Sequence, residues 1–424
     1  MKFNKWTLGL AAIGVVSLAS AARADEKMNS LQTALSNTTI SGYVSASANW
    51  AIAPGGGNNE SSPAGSIPFQ GQYPNGTPSK QDGINLDVVK LSISKPEDES
   101  PWASGYQVDL LFGPDAVNYN ASANAVGGQS QAHFTGENGS DFAIKQAYIT
   151  LRTPVGNGID WKIGVFDSPI GYEVFDAGSD PNYTRSIGYS VEPTEFTGVL
   201  GTYKLNDQWS FSLGMANTLS AGINARDNQS GFNNGAGSDW HKTLLSSVTY
   251  SAPSSWGWAA GSSIYAGVVY GFNTGSGNTG YQGGYQQNYY LGATMNTPWK
   301  QLTSGFAFDY VRNNGGGDQA GGVDGFRDEQ DTYVIGLYAT YKATDKLSLN
   351  GRAEYVHSDF NDSGTDAAFS GHGDGYEVTG TVEYDLWANV ITRVEMRYDH
   401  DNTYNGSGEH VDSLGLYANV IYKF

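Results

Sequence analysis

The chain is 424 residues long, with 42 acidic against 23 basic side chains, no cysteine, 56 glycines and 27 tyrosines. A net charge of −19 argues against a nucleic-acid partner, whose phosphates need a basic surface, and favours cations near the protein. Without cysteine there is no disulfide framework, no thiolate metal site and no thiol nucleophile.

The N-terminus carries an address. Lys2 and Lys5 precede an apolar run from Leu8 to Ala19, and Ala22-Arg23-Ala24 supplies the small residues of a cleavage site. Residues 1–24 therefore read as a signal peptide, with Asp25 as the mature N-terminus. No later stretch approaches the ~20 consecutive apolar residues that a membrane helix needs. A membrane protein built from this chain must be a barrel, since only helices and closed barrels leave no backbone group unpaired in lipid. In the segment 25–38, Met28, Leu31 and Leu35 have helical spacing, which fits a short periplasmic helix or a frayed tail.

From residue 39 to the end the chain alternates. Strand-like segments fall near 39–52, 84–95, 104–113, 141–152, 159–167, 196–204, 207–217 and 241–251. They continue near 257–271, 286–297, 301–312, 331–343, 346–358, 374–384, 388–400 and 412–424. Sixteen segments is an even number, as in single-chain barrels, and 39–424 is expected to form one transmembrane antiparallel β-barrel. Tight links such as Leu205-Asn206-Asp207, Ala343-Thr344-Asp345 and Leu386-Trp387-Ala388 take turns with long polar stretches, the pattern of periplasmic turns and outer loops. Trp102, Trp161, Trp209, Trp256, Trp258, Trp299 and Trp387 lie near the short links, where an aromatic girdle meets headgroups.

Charge placement supports the period. Near the end of the chain Val390, Thr392, Val394, Met396 and Tyr398 alternate with Ile391, Arg393, Glu395, Arg397 and Asp399, so every charge falls on one face. A register slip of one residue would turn those charges to lipid, at ~2–4 kcal/mol for each Arg near the midplane. A soluble sandwich also alternates, but its apolar face needs branched residues that interdigitate as a core. Here that face mixes Gly, Ala, Leu, Val and Tyr, and the opposite face is small, polar or charged, which suits a water-filled lumen.

A barrel of about sixteen strands leaves an aqueous channel, whereas one of about eight is filled by its own side chains. The third long connection, 168–195, is the candidate constriction: it holds Glu173, Asp176, Asp180, Glu192 and Glu195, with Arg185 as the single base among them. The facing wall is expected to present Arg152, Lys162, Arg352, Arg393 and Arg397 beside Glu354 and Glu395. Acid on one side and base on the other would set a transverse field that orders water and favours small polar solutes. Tyr43, Tyr148, Tyr265, Tyr290 and Tyr338 also fall on the lumen face, which leaves room for a substrate-specific channel with saturable flux.

The residues around this loop resemble a family. Gln146-Ala147-Tyr148-Ile149-Thr150-Leu151, Pro154-Val155-Gly156 and Phe166-Asp167-Ser168-Pro169-Ile170-Gly171-Tyr172-Glu173 carry the first part of the likeness. Asn182-Tyr183-Thr184-Arg185-Ser186 and Pro193-Thr194-Glu195-Phe196-Thr197-Gly198-Val199 carry the rest. Together they resemble the beta-barrel porin-2 family, the OmpL-like porins. The resemblance implies an outer-membrane pore for small solutes, with no catalytic or cofactor residues.

Other motifs point nowhere sharper. Gly275-Ser276-Gly277-Asn278-Thr279-Gly280 has dinucleotide-loop spacing but lacks the helix that would hold a pyrophosphate, so it reads as a loop. Asp324, Asp328, Glu329 and Asp331 offer a weak Ca²⁺ site without EF-hand spacing. The six histidines form no H-E-x-x-H pair and no G-x-S-x-G occurs, so no enzyme is expected.

In the last strand Leu414, Leu416, Ala418, Val420, Tyr422 and Phe424 share one face. A chain ending on such an aromatic is expected to engage the barrel assembly machinery. The expectation is therefore a passive porin with mild cation preference in a Gram-negative-type outer membrane. Lipid and lipopolysaccharide would surround it, and a homotrimer is one assembly open to it; a barrel sheath around a periplasmic electron-transfer partner is the structural rival.

Overall fold

The computed structural model describes residues 38–53, 79–98, 100–117, 141–219, 222–224, 242–272, 285–314, 330–359, 373–401 and 411–424. The signal peptide, the helical spacing within 25–37, the glycine motif at 275–280 and the acids Asp324, Asp328 and Glu329 lie outside these residues. The strands are β1 (Thr39–Ala53), β2 (Gly83–Lys95), β3 (Ser104–Phe112), β4 (Phe142–Thr153), β5 (Ile159–Asp167), β6 (Glu195–Lys204), β7 (Trp209–Ala216) and β8 (Thr243–Ser251). They continue as β9 (Ser263–Phe272), β10 (Tyr285–Asn296), β11 (Leu302–Asn314), β12 (Gln330–Lys342), β13 (Leu347–Asp359), β14 (Gly373–Trp387), β15 (Val390–Asp401) and β16 (Val411–Lys423). Each pairs antiparallel with its sequence neighbours, and β1 pairs with β16 to close the barrel. At that seam the Phe424 N–H donates to the Gly42 carbonyl at 2.9 Å and the Gly42 N–H donates back at 3.0 Å.

The faces follow the pleat. Leu213, Leu337, Val394, Met396, Val420 and Tyr422 point outward and stay exposed, while the alternating Arg352, Glu377, Arg393, Glu395 and Arg397 are buried inside. Among the described residues no helix is long and apolar enough to cross a membrane. One segment departs from the sequence expectation: β9 begins at Ser263 rather than near 257, because Ser254–Ala259 turns as a 3₁₀ helix. Gly257 sits in that turn at φ 63°, a backbone region that a Cβ disfavours. Trp102, Trp209, Trp256, Trp258, Trp299 and Trp387 are exposed at the short-turn end, the position of an interfacial girdle.

The opposite rim carries a repeat in three successive hairpins. Arg312 faces Asp331 across β11–β12, His357 faces Asp374 across β13–β14, and His400 faces Asp412 across β15–β16. In the last two, a tyrosine two residues earlier, Tyr355 or Tyr398, donates its hydroxyl to the same aspartate at 2.6 or 2.8 Å. These pairs tie adjacent strands at the level where the apolar face ends.

Inside, the segment between β5 and β6 packs on strands from every side. Ile170 and Tyr172 meet a cluster with Phe196, Leu245, Val269, Tyr290 and Tyr338; Phe175 meets Tyr43, Val88 and Leu111. Tyr183 meets Tyr417, with ring centroids 5.7 Å apart, and Ile187 meets Val334 and Val356. One connection therefore touches both halves of the wall.

The outward face generates a stability expectation. Met396→Arg, near the middle of β15, is expected to lower unfolding free energy in lipid vesicles by ~2–4 kcal/mol, whereas Met396→Leu should cost under ~1.5 kcal/mol. Equal urea unfolding midpoints for the two variants would mean that Met396 does not face lipid.

Candidate functional site

The third connection, 168–194, presents backbone N–H and C=O groups inside a barrel, and buried groups of this kind need partners. The wall supplies them as charged side chains. Glu395 of β15 accepts from the N–H groups of Tyr183 at 2.5 Å and Thr184 at 2.8 Å. Glu354 of β13 accepts from Ile187 at 2.5 Å and Gly188 at 3.0 Å, the first donors of a short helix at Ile187–Val191. Ser186 caps the same helix by accepting from the Tyr189 N–H at 2.9 Å.

Guanidinium groups take the carbonyls. Arg393 donates to Ala177 and Asp180, both at 2.6 Å, and Arg397 donates to Arg185 at 2.5 Å. Arg352, whose side chain has no exposed surface, donates to the Thr184 carbonyl at 2.7 Å and is paired with Glu173 at 2.8 Å and Glu377 at 3.0 Å. All of its nitrogens are engaged, which is the condition under which a buried Arg is tolerated.

The sequence-derived residues thus divide. Glu173, Asp180 and Arg185 of the loop come together with Arg352, Glu354, Arg393, Glu395 and Arg397 of the wall, in contact rather than across open water. The expected transverse field between those two sets is corrected accordingly, because the wall charges are spent on the loop backbone. Asp176 turns to the other side and meets Lys90 of β2 at 2.7 Å. Arg152 sits at the short-turn end on Asp160, 3.1 Å away, remote from the loop. Lys162 lies over the Tyr148 ring at 5.0 Å, Glu192 ends the short helix, and Glu195 is buried at the start of β6. Asp331, the described member of the acidic set proposed for Ca²⁺, lies 3.8 Å from Arg312.

Several buried charges escaped the sequence reading. Lys80 bridges Asp115 at 2.5 Å and Asp87 at 3.4 Å; Lys90 adds Asp109 at 3.1 Å; Lys145 holds Asp167 at 2.5 Å. Asp87 also accepts from Ser45, Ser47 and the Tyr183 hydroxyl, so it pins the loop from the far wall. Asp87 and Lys145 both sit at bulges, where two consecutive residues turn inward and strict alternation fails. Glu377, by contrast, stood in plain alternation on β14.

The sequence profile of the family described as Putative beta-barrel porin-2, OmpL-like, matches residues 37–424. Among curated proteins no sequence match is found. The outer membrane channel DcaP of Acinetobacter baumannii is similar in structure, with TM-score 0.57 and 14% identity over 91% of this chain and 97% of that one. An anion-selective porin from Comamonas acidovorans aligns with TM-score 0.55 and 11% identity, over 91% and 99%. The trimer form of in-vitro folded OmpT, an outer membrane protein of Vibrio cholerae, aligns with TM-score 0.52 and 14% identity, also over 91% and 99%. At such identities the likeness is one of fold.

The loop also contains groups that titrate. Burial pushes the Asp180 carboxyl up to about 7 against the pull of Arg185, 3.2 Å away, with Glu173 adding to the rise and Arg393 opposing it. Burial, then the Asp309 carboxylate, raises Glu192 well above the usual carboxylate range. Asp176 goes the other way, held low by Lys90 and Lys145 despite its burial. An acid whose folded pKa is raised contributes stability in full below its ordinary pKa near 4 and loses it as pH climbs towards 7. Docking of the loop is therefore expected to weaken between pH 4 and 7. Hydrogen exchange at the Val174 amide, which donates to Asp180 at 3.0 Å, should speed up over that range after correction for intrinsic rates. Asp180→Asn should flatten the dependence; an unchanged slope would remove Asp180 as its source.

Proposed function

From the premise that this chain belongs to the Putative beta-barrel porin-2, OmpL-like family over residues 37–424 and is an outer-membrane porin channel, we propose how it conducts. Ions and small hydrophilic solutes diffuse passively through the water beside the third loop, which acts as the constriction. The observation that carries this reading is the docking of 168–194 on Arg352, Glu354, Arg393, Glu395 and Arg397, which holds the loop within the bore and narrows it. The short turns then face the periplasm and the long connections the exterior, as in outer-membrane barrels generally. A sheath around a cytochrome fits poorly, since it needs an open bore and this loop packs on both halves of the wall.

Charge preference follows the overall field rather than the docked pairs. The Comamonas porin of similar fold is described as anion-selective, so the fold alone does not set the sign. Here the excess of 42 acidic over 23 basic residues favours a mild cation preference. A homotrimer is supported by the trimeric OmpT of similar fold, and the exposed apolar band suits lipid with lipopolysaccharide at the outer rim. Phe424, at the closing seam, is the natural contact for the assembly machinery.

Planar-bilayer recording tests this reading. Glu354→Gln combined with Glu395→Gln weakens four charge-assisted bonds to the loop backbone. The pair is expected to raise open-channel noise and single-channel conductance while the protein stays folded. Reversal potentials under a KCl gradient should favour K⁺ by a small factor. Unaltered conductance and noise would take the loop out of the constriction, and a preference for Cl⁻ would overturn the charge assignment.

A further inference from the structure

The third loop divides the interior unequally. Towards β13–β16 it is sealed by charge, but towards β8–β10 a cavity of about 260 Å³ remains, bounded by the loop limbs 168–175 and 189–194. The wall of that cavity is uncharged and rich in hydroxyls: Ser247, Thr249, Tyr265 and Thr294. The charges at its margin are already matched. Lys145 is 2.5 Å from Asp167, and Glu173 is 2.8 Å from Arg352. Glu192 also lines it, and its carboxyl is hydrogen-bonded to the Asp309 side chain.

Aromatic surface is present on two sides. From the loop comes Tyr172, stacked on Tyr338 with centroids 4.1 Å apart; from the wall come Tyr265 and Tyr290. Tyr290 is 4% exposed and its hydroxyl has no hydrogen-bond partner among the described residues. That hydroxyl packs over Gly292 with no accessible surface, so Tyr290 offers the cavity its ring rather than its hydroxyl. Gly292 allows the arrangement, because a Cβ at that position would overlap the Tyr290 hydroxyl.

This combination selects a chemical class. An organic anion would need an unmatched cation, and the lysine here is already paired. A purely apolar ring would leave the hydroxyls unsatisfied. An acyclic polyol would satisfy them but offers no flat C–H face to lay on tyrosine. A pyranose has both a C–H face and a rim of hydroxyls. The volume lies just under the ~300 Å³ at which ligand pockets begin, so one ring fits at a time.

Building on the porin reading, we propose that the recess between the third loop and β8–β10 is a transient binding site for neutral monosaccharide-sized rings, through which such solutes cross in a saturable step. Thr249 is the residue that ranks them, through its hydroxyl.

The test is current block in planar bilayers with the full-length mature protein in KCl, using D-glucose, D-mannitol and benzoate as probes. Glucose is expected to reduce current with a saturating concentration dependence, and mannitol only in proportion to its effect on bulk conductivity. Thr249→Val keeps the side-chain shape and removes the hydroxyl. It should raise the half-blocking glucose concentration roughly three- to tenfold at unchanged sugar-free conductance, as expected for one hydrogen bond. Ser247→Ala serves as a second variant and should shift the block in the same direction. Linear block that is equal for glucose and mannitol, or saturable block by benzoate alone, would overturn the proposal while leaving the porin reading intact. A wild-type protein that forms no channels would instead overturn the porin reading beneath it.

Discussion

A polypeptide segment inside a barrel has no strand to pair with, and everything about this interior follows from how that deficit is met. The wall answers backbone with charge: carboxylates of Glu354 and Glu395 take N–H groups, and guanidiniums of Arg352, Arg393 and Arg397 take carbonyls. Such bonds are shorter and about twice as strong as neutral ones, and each side chain can serve two backbone groups at once. The charges in turn require one another. Removing Arg352 would leave Glu173 and Glu377 buried without their shared partner, a change that typically costs ~3–5 kcal/mol. The loop and the lining beneath it are thus one unit, not a flap resting on a surface.

That unit changes how the pore's electrostatics should be understood. Acids on the loop and bases on the wall suggest a field across the aperture, yet the geometry brings the two sets into contact and neutralises them locally. What remains exposed to the aperture on the β8–β10 side is hydroxyl and phenol, with charge matched at the margin. On the proposed reading, ion preference is then governed by the surplus of acid over the molecule as a whole, which acts over roughly a Debye length of 8–10 Å at physiological salt. On the proposal above, local recognition belongs to that hydroxyl-lined side.

Most of the fold was legible because the lipid face and the lumen impose a strict period of two. In β15 the charges Arg393, Glu395, Arg397 and Asp399 alternate with Val394, Met396 and Tyr398, and no other register keeps them out of lipid. The same rule explains the misses. Asp87 and Lys145 stand at bulges, where the period breaks and a residue that counts as outward turns in. The 3₁₀ turn at Ser254–Ala259 hid behind Trp256 and Trp258, whose aromatic spacing imitates a strand. At the site, sequence singled out the loop acids and the wall bases but not their distances. Arg152, on the same face as the docking arginines, lies at the far end of its strand on Asp160, and nothing in a linear pattern separates height along the barrel from facing direction.

The central claim is that the loop is docked in the conducting state, and a covalent tether tests it most directly. Asn182 donates to Thr381 at 2.7 Å, side chain to side chain, and the chain has no native cysteine to interfere. In an Asn182→Cys/Thr381→Cys variant, single-channel conductance measured before and after oxidation is expected to stay the same, because the cross-link fixes a contact already made. A large drop on oxidation, reversed by reductant, would show that the working channel holds its loop elsewhere and would contradict the account.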